Sequence, residues 1–136
     1  MIEMDRSHLA VIMEAGYVYL GMRRFKEARE LFEGLEALAP DSEVPLVALG
    51  NVDFCTGKLS KAIRRYEQAL KLDSKSAFAK VYLGEALFFA GREDEAKDLL
   101  RDVSRSDKGG AGDFAKALME AIRKGLIAPQ KGRSKK

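Results

Sequence analysis

A repeat of 34 residues constrains this 136-residue chain more than any other feature of its sequence. A glycine returns at that interval, and an alanine follows each glycine by twelve residues: Gly16 and Ala28, Gly50 and Ala62, Gly84 and Ala96. Periods of this length are typical of arrays in which each repeat is a small helical unit that packs on its neighbours. The sequence therefore predicts a repeat architecture before any single side chain is interpreted.

Each unit is predicted to be two antiparallel helices joined by a tight turn. Apolar residues recur at three- and four-residue spacing, as in Ile12, Ala15 and Tyr19, which is the pattern of a helix with a wide buried face. The glycine of the first helix lacks a side chain where the second helix crosses it, and the small alanine lies at the reciprocal contact. Each predicted turn offers a glycine for a positive φ: Gly21, Gly57 and Gly91.

The register divides the chain into six ranges. Residues 1–8 are a lead-in, and the three helical units are 9–42, 43–76 and 77–110. A capping helix is predicted at 111–128, with Phe114, Leu118 and Ile122 on its apolar face and Asp113 as its N-cap. Residues 104–112 are expected to form a flexible joint before it, because they are rich in serine and glycine. Residues 129–136 are expected to be a disordered basic tail.

Composition argues against catalysis, metal binding and membrane insertion. The chain has one histidine, His8, and one cysteine, Cys55, which is too few for a disulfide or a conventional zinc site. Cys55 is expected to be a partly buried, reduced thiol. No phosphate-binding loop or catalytic triad is present, so neither an enzyme activity nor a cofactor is predicted. No segment has the length of a signal peptide core or a membrane span, and we expect a cytoplasmic protein.

The net charge is +3, but the distribution of charge along the chain argues against a nucleic acid as the ligand. The last eight residues contain four bases and no acid, so the rest of the chain is close to neutral. The predicted helices mix both signs on their polar faces, which is typical of a solvated surface and not of a phosphate-binding stripe.

These residues resemble the tetratricopeptide repeat (TPR) family over about 100 of the 136 positions. The first unit carries nearly the whole family pattern, and the others carry most of it: Ala15, Gly16, Tyr19, Ala28, Phe32 and Pro40; Leu49, Gly50, Ala62, Tyr66 and Ala69; Leu83, Gly84, Ala96 and Leu100. Asp53 and Lys108 depart from it, where an aromatic residue and a proline are common. The resemblance implies an all-α, right-handed solenoid of three repeats with a capping helix, which binds partners on its concave side.

Groove-facing positions are offset from the glycine-bearing packing face of each first helix. Spacing predicts that a partner-binding groove is lined by Met13, Tyr17, Leu20, Val47, Asn51, Phe54, Phe78, Val81, Glu85, Phe88 and Phe89. TPR domains that hold the acidic C-termini of heat-shock chaperones use cationic and amide side chains there. This chain has apolar residues such as Met13 and Phe78 at those places, so the resemblance instead implies an apolar or amphipathic helix as ligand.

The size of the chain and its apolar groove are similar to those of small TPR chaperones of bacterial type III secretion, in particular the class that holds needle subunits. This resemblance implies a chaperone that masks a self-assembling needle or translocator subunit. A co-chaperone is a second candidate partner. The alternative is a generic TPR scaffold or adaptor in a multiprotein complex. A third and more distant alternative is an RNA-associated protein that uses its basic tail.

Overall fold

The computed structural model describes residues 6–130, and that range contains seven helices and no strand. The helices are α1 (Arg6–Gly21), α2 (Phe25–Leu38), α3 (Val44–Cys55), α4 (Leu59–Leu72), α5 (Ala77–Phe89), α6 (Glu93–Ser106) and α7 (Gly110–Arg123). The predicted all-α solenoid is confirmed. Within residues 6–130, no helix combines the length and the apolar character needed to cross a membrane.

Odd-numbered and even-numbered helices form two rows. Three-residue turns join α1 to α2, α3 to α4 and α5 to α6, and the members of each pair pack closely on one another. In addition α5 contacts both α3 and α7, whereas no two even-numbered helices in the described range approach each other to that degree. The odd-numbered helices are thus the inner row, and a stack of this kind curves around its more tightly spaced side. The free face of α1, α3 and α5 is the concave side.

The three interhelical turns share one geometry at one position of the repeat. Arg23, Gly57 and Gly91 have φ values of 62°, 79° and 89°, so each turn places its left-handed residue at the same place. Expecting Gly21 to supply this conformation was wrong, because Gly21 is the last residue of α1. The backbone amide of Arg24 bonds to the Tyr19 carbonyl (2.9 Å) as that of Lys58 bonds to Asp53 (2.8 Å), and this shared closure sets the turn regardless of the side chain.

Helix crossings depend on the repeated glycines and alanines as predicted. A Cβ atom on Gly50 would lie 2.5 Å from the ring of Tyr66 on α4, closer than side-chain atoms approach. The equivalent glycines meet Phe32 and Leu100 in the same way. The reciprocal alanines are fully buried, with no exposed surface on Ala28, Ala62 or Ala96. Each inner helix therefore packs on its outer partner with an aromatic or leucine side chain against bare backbone.

The core continues from unit to unit. One cluster joins α2 to α3, a second joins α3 and α4 to α5, and a third joins α5 and α6 to α7. An ionic contact also spans the first two units: the carboxylate of Asp53 on α3 lies 2.9 Å from the guanidinium of Arg29 on α2 and 3.3 Å from that of Arg65 on α4. Asp53 is completely buried, so the residue that departs from the family pattern bridges three helices.

The capping helix is attached more tightly than the sequence predicts. Helix α6 runs to Ser106 and α7 starts at Gly110, so most of the predicted joint at 104–112 is helical. The Asp107 carboxylate accepts the amides of Gly109 (3.0 Å) and Gly112 (2.8 Å). Gly109 is the N-cap of α7, and the prediction that Asp113 has this role was wrong, because Asp113 lies inside the first turn and the carboxylate that accepts a first-turn amide is that of Asp107.

The end of the described chain returns to α5. Gly125, two residues after the end of α7, has a φ of 72°. Further along the chain, the amide of Gln130 donates to the carbonyl of Phe89 (2.9 Å). Ile127 packs on the cores between α5 and its neighbours. The predicted lead-in residues 1–5 and the bases Lys131, Arg133, Lys135 and Lys136 of the predicted tail lie outside the described residues.

Candidate functional site: the groove of the inner helices

Two apolar pockets lie next to each other: the first is between the inner helices where α3 and α5 begin, and the second is between α1, the end of α2 and the start of α3. The first has a volume of about 530 Å³ and is lined by Tyr17, Glu43, Val44, Val47, Ser76, Ala77, Phe78 and Tyr82. The second has a volume of about 610 Å³ and is lined by Leu9, Ala10, Met13, Leu35, Ala39, Ser42, Val44 and Pro45. Val44 belongs to both, so the pockets form one apolar surface that crosses all three inner helices.

Aromatic side chains are unusually exposed around this surface. Phe78 is 49% exposed and Tyr17 is 38% exposed, and Val44 between them is 44% exposed. The ring of Phe78 stacks on that of Tyr82, with the centroids 5.9 Å apart. Large apolar side chains held open in this way lose little conformational freedom on binding and offer a large area to a ligand.

A hydrogen-bonded chain forms the floor of the groove beside the first pocket. The amide nitrogen of Asn51 donates to the Tyr17 hydroxyl (3.1 Å), and the buried hydroxyl of Tyr66 donates to the Asn51 carbonyl oxygen (2.6 Å). Burial raises the pKa of Tyr17 to about 12, against a smaller opposite effect of the bond from Asn51. Burial also raises the pKa of Tyr66. Both tyrosines are therefore neutral, and Asn51 is held in one orientation.

Glu85 occupies the repeat position of Tyr17 and Asn51, one unit further along the chain. It is half-buried on α5, and within residues 6–130 it forms no hydrogen bond and no ion pair. Burial raises the pKa of its carboxyl group from 4.5 to about 7. The concave side thus holds a carboxyl group that has no partner within residues 6–130.

Most of the predicted groove residues lie on the concave side, at different depths. Tyr17 and Phe78 are exposed, Val47 and Asn51 form the floor, and the half-buried residues are Met13, Leu20, Phe54, Glu85 and Phe89. Phe54 contacts Phe89 across the gap between α3 and α5, with their ring centroids 5.9 Å apart. No contact with a ligand is observed for any of them, so their role in binding stays a prediction.

Val81 and Phe88 are not groove residues, which corrects the prediction for both. Val81 has no exposed surface and belongs to the core that α5 shares with α6 and α7. Phe88 is 3% exposed and belongs to the largest core cluster, on which Ile122 and Ile127 also pack. The capping helix and the segment after it pack on these core clusters. Of the equivalent side chains on α3, Phe54 is half-buried, whereas Val47 is itself buried but lines the first pocket.

Beyond the predicted positions, the first pocket is lined by Val44 and Tyr82 and, at its edge, by Glu43, Ser76 and Ala77, which the sequence analysis missed. These three residues lie at the starts of α3 and α5, where Glu43 and Ser76 are the N-cap residues and the Ser76 hydroxyl accepts the Ala79 amide (3.2 Å). Glu43 and Ala77 are 34 residues apart, so the repeat register could have located this edge of the groove.

Cys55 ends α3 and is more exposed than predicted, although part of its thiol is buried. This burial raises the pKa of the thiol, and Glu85 adds a smaller effect in the same direction, against an opposite effect of Arg23. In the described part of the chain, no three metal-ligating side chains cluster together. The groove offers apolar contact, the fixed amide of Asn51 and the carboxyl groups of Glu43 and Glu85.

Comparison with known proteins gives similarities of family and of fold. Residues 56–122 match the family model described as tetratricopeptide repeat. The first TPR of Spaghetti (RPAP3), bound to the HSP90 peptide SRMEEVD, is similar with a TM-score of 0.73 and 21% identity, over 93% of this chain and 98% of that one. The chain matches no curated protein sequence.

A second similar structure is the type III secretion translocator chaperone SycD of Yersinia enterocolitica. It has a TM-score of 0.75 and 16% identity, over 88% of this chain and 91% of that one. SycD in complex with a peptide of the translocator YopD is similar with a TM-score of 0.71 and 18% identity, over 93% of this chain and 100% of that one. At these identities the likeness is one of fold.

Proposed function

We propose that the chain, which matches the tetratricopeptide repeat model over residues 56–122 and shares the fold of such domains, is a non-catalytic binding module whose concave groove sequesters an apolar or amphipathic helix of a protein partner. The observation that carries the proposal is the continuous apolar surface of the two pockets, with Tyr17, Val44 and Phe78 exposed along it. Exposed apolar surfaces of this kind on a small domain mark sites that another molecule covers.

The shape of the surface favours a helix as ligand. The two pockets are adjacent and share Val44, so a ligand needs apolar side chains at closely spaced points along one face. An amphipathic helix presents such side chains three, four and seven residues apart. Bound in this way, the apolar face of the partner would be hidden from water and from other copies of itself.

We infer further that the chain is a cytosolic secretion chaperone, with a type III secretion needle or translocator subunit as its partner. The fold of SycD, a type III secretion translocator chaperone that is known in complex with a YopD peptide, supports this assignment. Masking is the mechanism that follows: the partner's self-assembling helix is held in the groove, kept monomeric and released on export.

Affinity purification from the native cell, with a matched pair of substitutions, tests the binding module. Phe78→Glu places a charge on the groove, and Leu72→Glu places one on the last residue of α4, where the side chain is similarly exposed at 46% against 49%. Phe78→Glu should lose the stoichiometric partner, with an affinity loss of at least about 2 kcal/mol, or roughly 30-fold. Leu72→Glu should retain it. Equal retention by both variants would place the binding surface elsewhere.

The chaperone assignment has its own readout. The purified partner should assemble when it is alone and remain monomeric in an equimolar mixture with this protein, as measured by light scattering. A partner that stays bound in a larger, permanent assembly would instead identify the chain as a scaffold or adaptor.

A further inference from the structure

One position of the repeat holds a different side chain, with different hydrogen bonds, in each of the three units. Tyr17, Asn51 and Glu85 are 34 residues apart and lie side by side on α1, α3 and α5. Tyr17 and Asn51 bond to each other, and Asn51 also bonds to Tyr66. Glu85 has no such partner among the described residues. The row of polar side chains across the groove therefore ends in a carboxyl group that has no hydrogen-bond or ion-pair partner among the described residues.

Within residues 6–130, no positively charged group pairs with Glu85. The titratable groups that interact with it are Cys55 on α3, Tyr66 on α4 and Tyr82 on α5, and none of them carries a positive charge in any state. The residues that line the two pockets include Glu43 and, within the described range, neither lysine nor arginine. The groove is thus apolar with a negative bias. A carboxylate that is partly withdrawn from water without compensation interacts strongly with any cation that reaches it.

We propose that Glu85 selects the docked segment by pairing with a lysine or arginine that follows an apolar anchor in that segment by one helical turn. The proposal rests on the proposed function of the groove as a site for a protein helix. Tyr82 lines the first pocket, and Glu85 is three residues further along α5, which is about 4.5 Å along the helix axis. A ligand helix that runs along α5 in the same direction, with an apolar side chain in the pocket, therefore brings its residue at i+3 or i+4 to Glu85.

Selection acts in both directions. A cation at that position pairs with the carboxylate and holds it ionised, while an acidic side chain there meets a like charge in a site that is partly shielded from water. A peptide such as SRMEEVD, which the first TPR of Spaghetti binds, presents three acids and a terminal carboxylate. The groove of this protein should reject it.

A selection experiment with the full chain tests the proposal. The probe is a library of 15-residue helical peptides with a fixed central phenylalanine, randomised at the positions three and four residues after it. Peptides that bind the wild-type protein should carry Lys or Arg at one of these positions about ten times more often than Asp or Glu. Binders of Glu85→Gln should show less than a twofold preference, and binders of Glu85→Lys should prefer acids.

The control is Glu67→Gln, which removes the same charge from an exposed residue of the outer helix α4 and should leave the preference unchanged. For one selected peptide and its Lys→Gln partner, the affinity ratio should increase between pH 5.5 and pH 8, as Glu85 ionises with its pKa of about 7. A preference for bases that survives in Glu85→Gln would overturn the proposal.

Failure of the proposed function gives a different result from failure of this inference. Peptides that lose affinity in Phe78→Glu but show no charge preference overturn the role of Glu85 and leave the groove as the binding site. If no peptide binds, or if binding is unaffected by Phe78→Glu, both ideas are overturned.

Two other occupants of the groove would also overturn the proposal. The first is this chain's own residues 131–136. If a chain that ends at Gln130 binds every peptide at least tenfold more tightly than the full chain, the cation that meets Glu85 belongs to those residues. A dimer seen by sedimentation and dissociated by Phe78→Glu would identify the occupant as a second copy.

Discussion

Asp53 and Glu85 are acidic residues on neighbouring inner helices, and the protein treats them in opposite ways. Asp53 points to the outer row, has no exposed surface and contacts Arg29 and Arg65 from two outer helices. Glu85 points to the groove, is half-buried and forms no ion pair within the described residues. A buried carboxylate with both partners supplied contributes to stability, whereas one left without a partner is available to a ligand at a cost in stability.

The largest expected effect is that of removing the first carboxylate. Asp53→Ala leaves Arg29 and Arg65 facing each other without the anion between them and creates a small cavity, so the free energy of unfolding should fall by about 3 kcal/mol. Urea denaturation measures this. Glu67→Ala on the exposed face of α4 is the control and should change stability by less than about 0.5 kcal/mol. A loss below about 1 kcal/mol for Asp53→Ala would mean that the bridge carries little energy.

The pH dependence of stability isolates the second carboxylate. The pKa of Glu85 is raised in the folded state from 4.5 to about 7, so the folded protein retains a proton that the unfolded chain has lost between these values. Its contribution to stability is fully present below pH 4.5 and is lost as the pH rises to about 7, by an amount on the order of 2 kcal/mol. Glu85→Gln should be less pH-dependent than the wild type over this interval. Parallel curves for the two proteins would contradict the burial of the carboxyl group.

A smaller effect is expected at the hydrogen-bonded floor between the two carboxylates. Tyr66→Phe removes the hydroxyl that donates to Asn51 and leaves the ring against Gly50, so stability should fall by about 1 kcal/mol. Tyr17→Phe removes the other end of the same chain and should cost less, because the bond between Asn51 and Tyr17 (3.1 Å) is longer than that between Tyr66 and Asn51 (2.6 Å). Thermal melting of both variants tests this order of stability losses. A larger loss of stability for Tyr17→Phe than for Tyr66→Phe would contradict it.

The smallest effect should come from an ion pair on the surface. Arg92 and Glu95 form two short hydrogen bonds at the start of α6, at 2.8 Å and 2.9 Å, but both side chains are exposed. Because solvent screens such pairs, Glu95→Gln should leave the free energy of unfolding nearly unchanged in urea denaturation. If this change cost as much as Asp53→Ala, burial would not be what distinguishes the ionic bridge.

The sequence predicts the fold well because the fold is local and periodic. Glycine, alanine and the aromatic residue that packs on glycine lie within 16 residues of each other in each unit, so their register determines each helix crossing. Asp53 is the counterexample. Its partners Arg29 and Arg65 are 24 and 12 residues away, and only the packing of three helices brings them together.

Groove residues were less predictable than the fold, since depth depends on what covers a helix. Phe54 and Phe88 have the same position in consecutive units, yet only Phe88 is buried, since Ile122 and Ile127 pack on its cluster. A charge at Phe88 would therefore act on the core, whereas Phe78 is exposed and is the suitable position for a functional test. Repeat spacing alone predicted Glu85 in the groove. Its lack of a partner could not be predicted in this way, because it depends on how three helices pack together.

The exposed thiol of Cys55 makes this groove accessible to spectroscopy without engineering. It is the one cysteine in the chain, it lies at the end of α3, and it interacts with Glu85. A maleimide fluorophore or a nitroxide would therefore attach at a single point next to the carboxylate. Its raised pKa leaves little thiolate at neutral pH, so labelling should proceed at mildly alkaline pH. The attached probe would then report whether the groove is filled or empty.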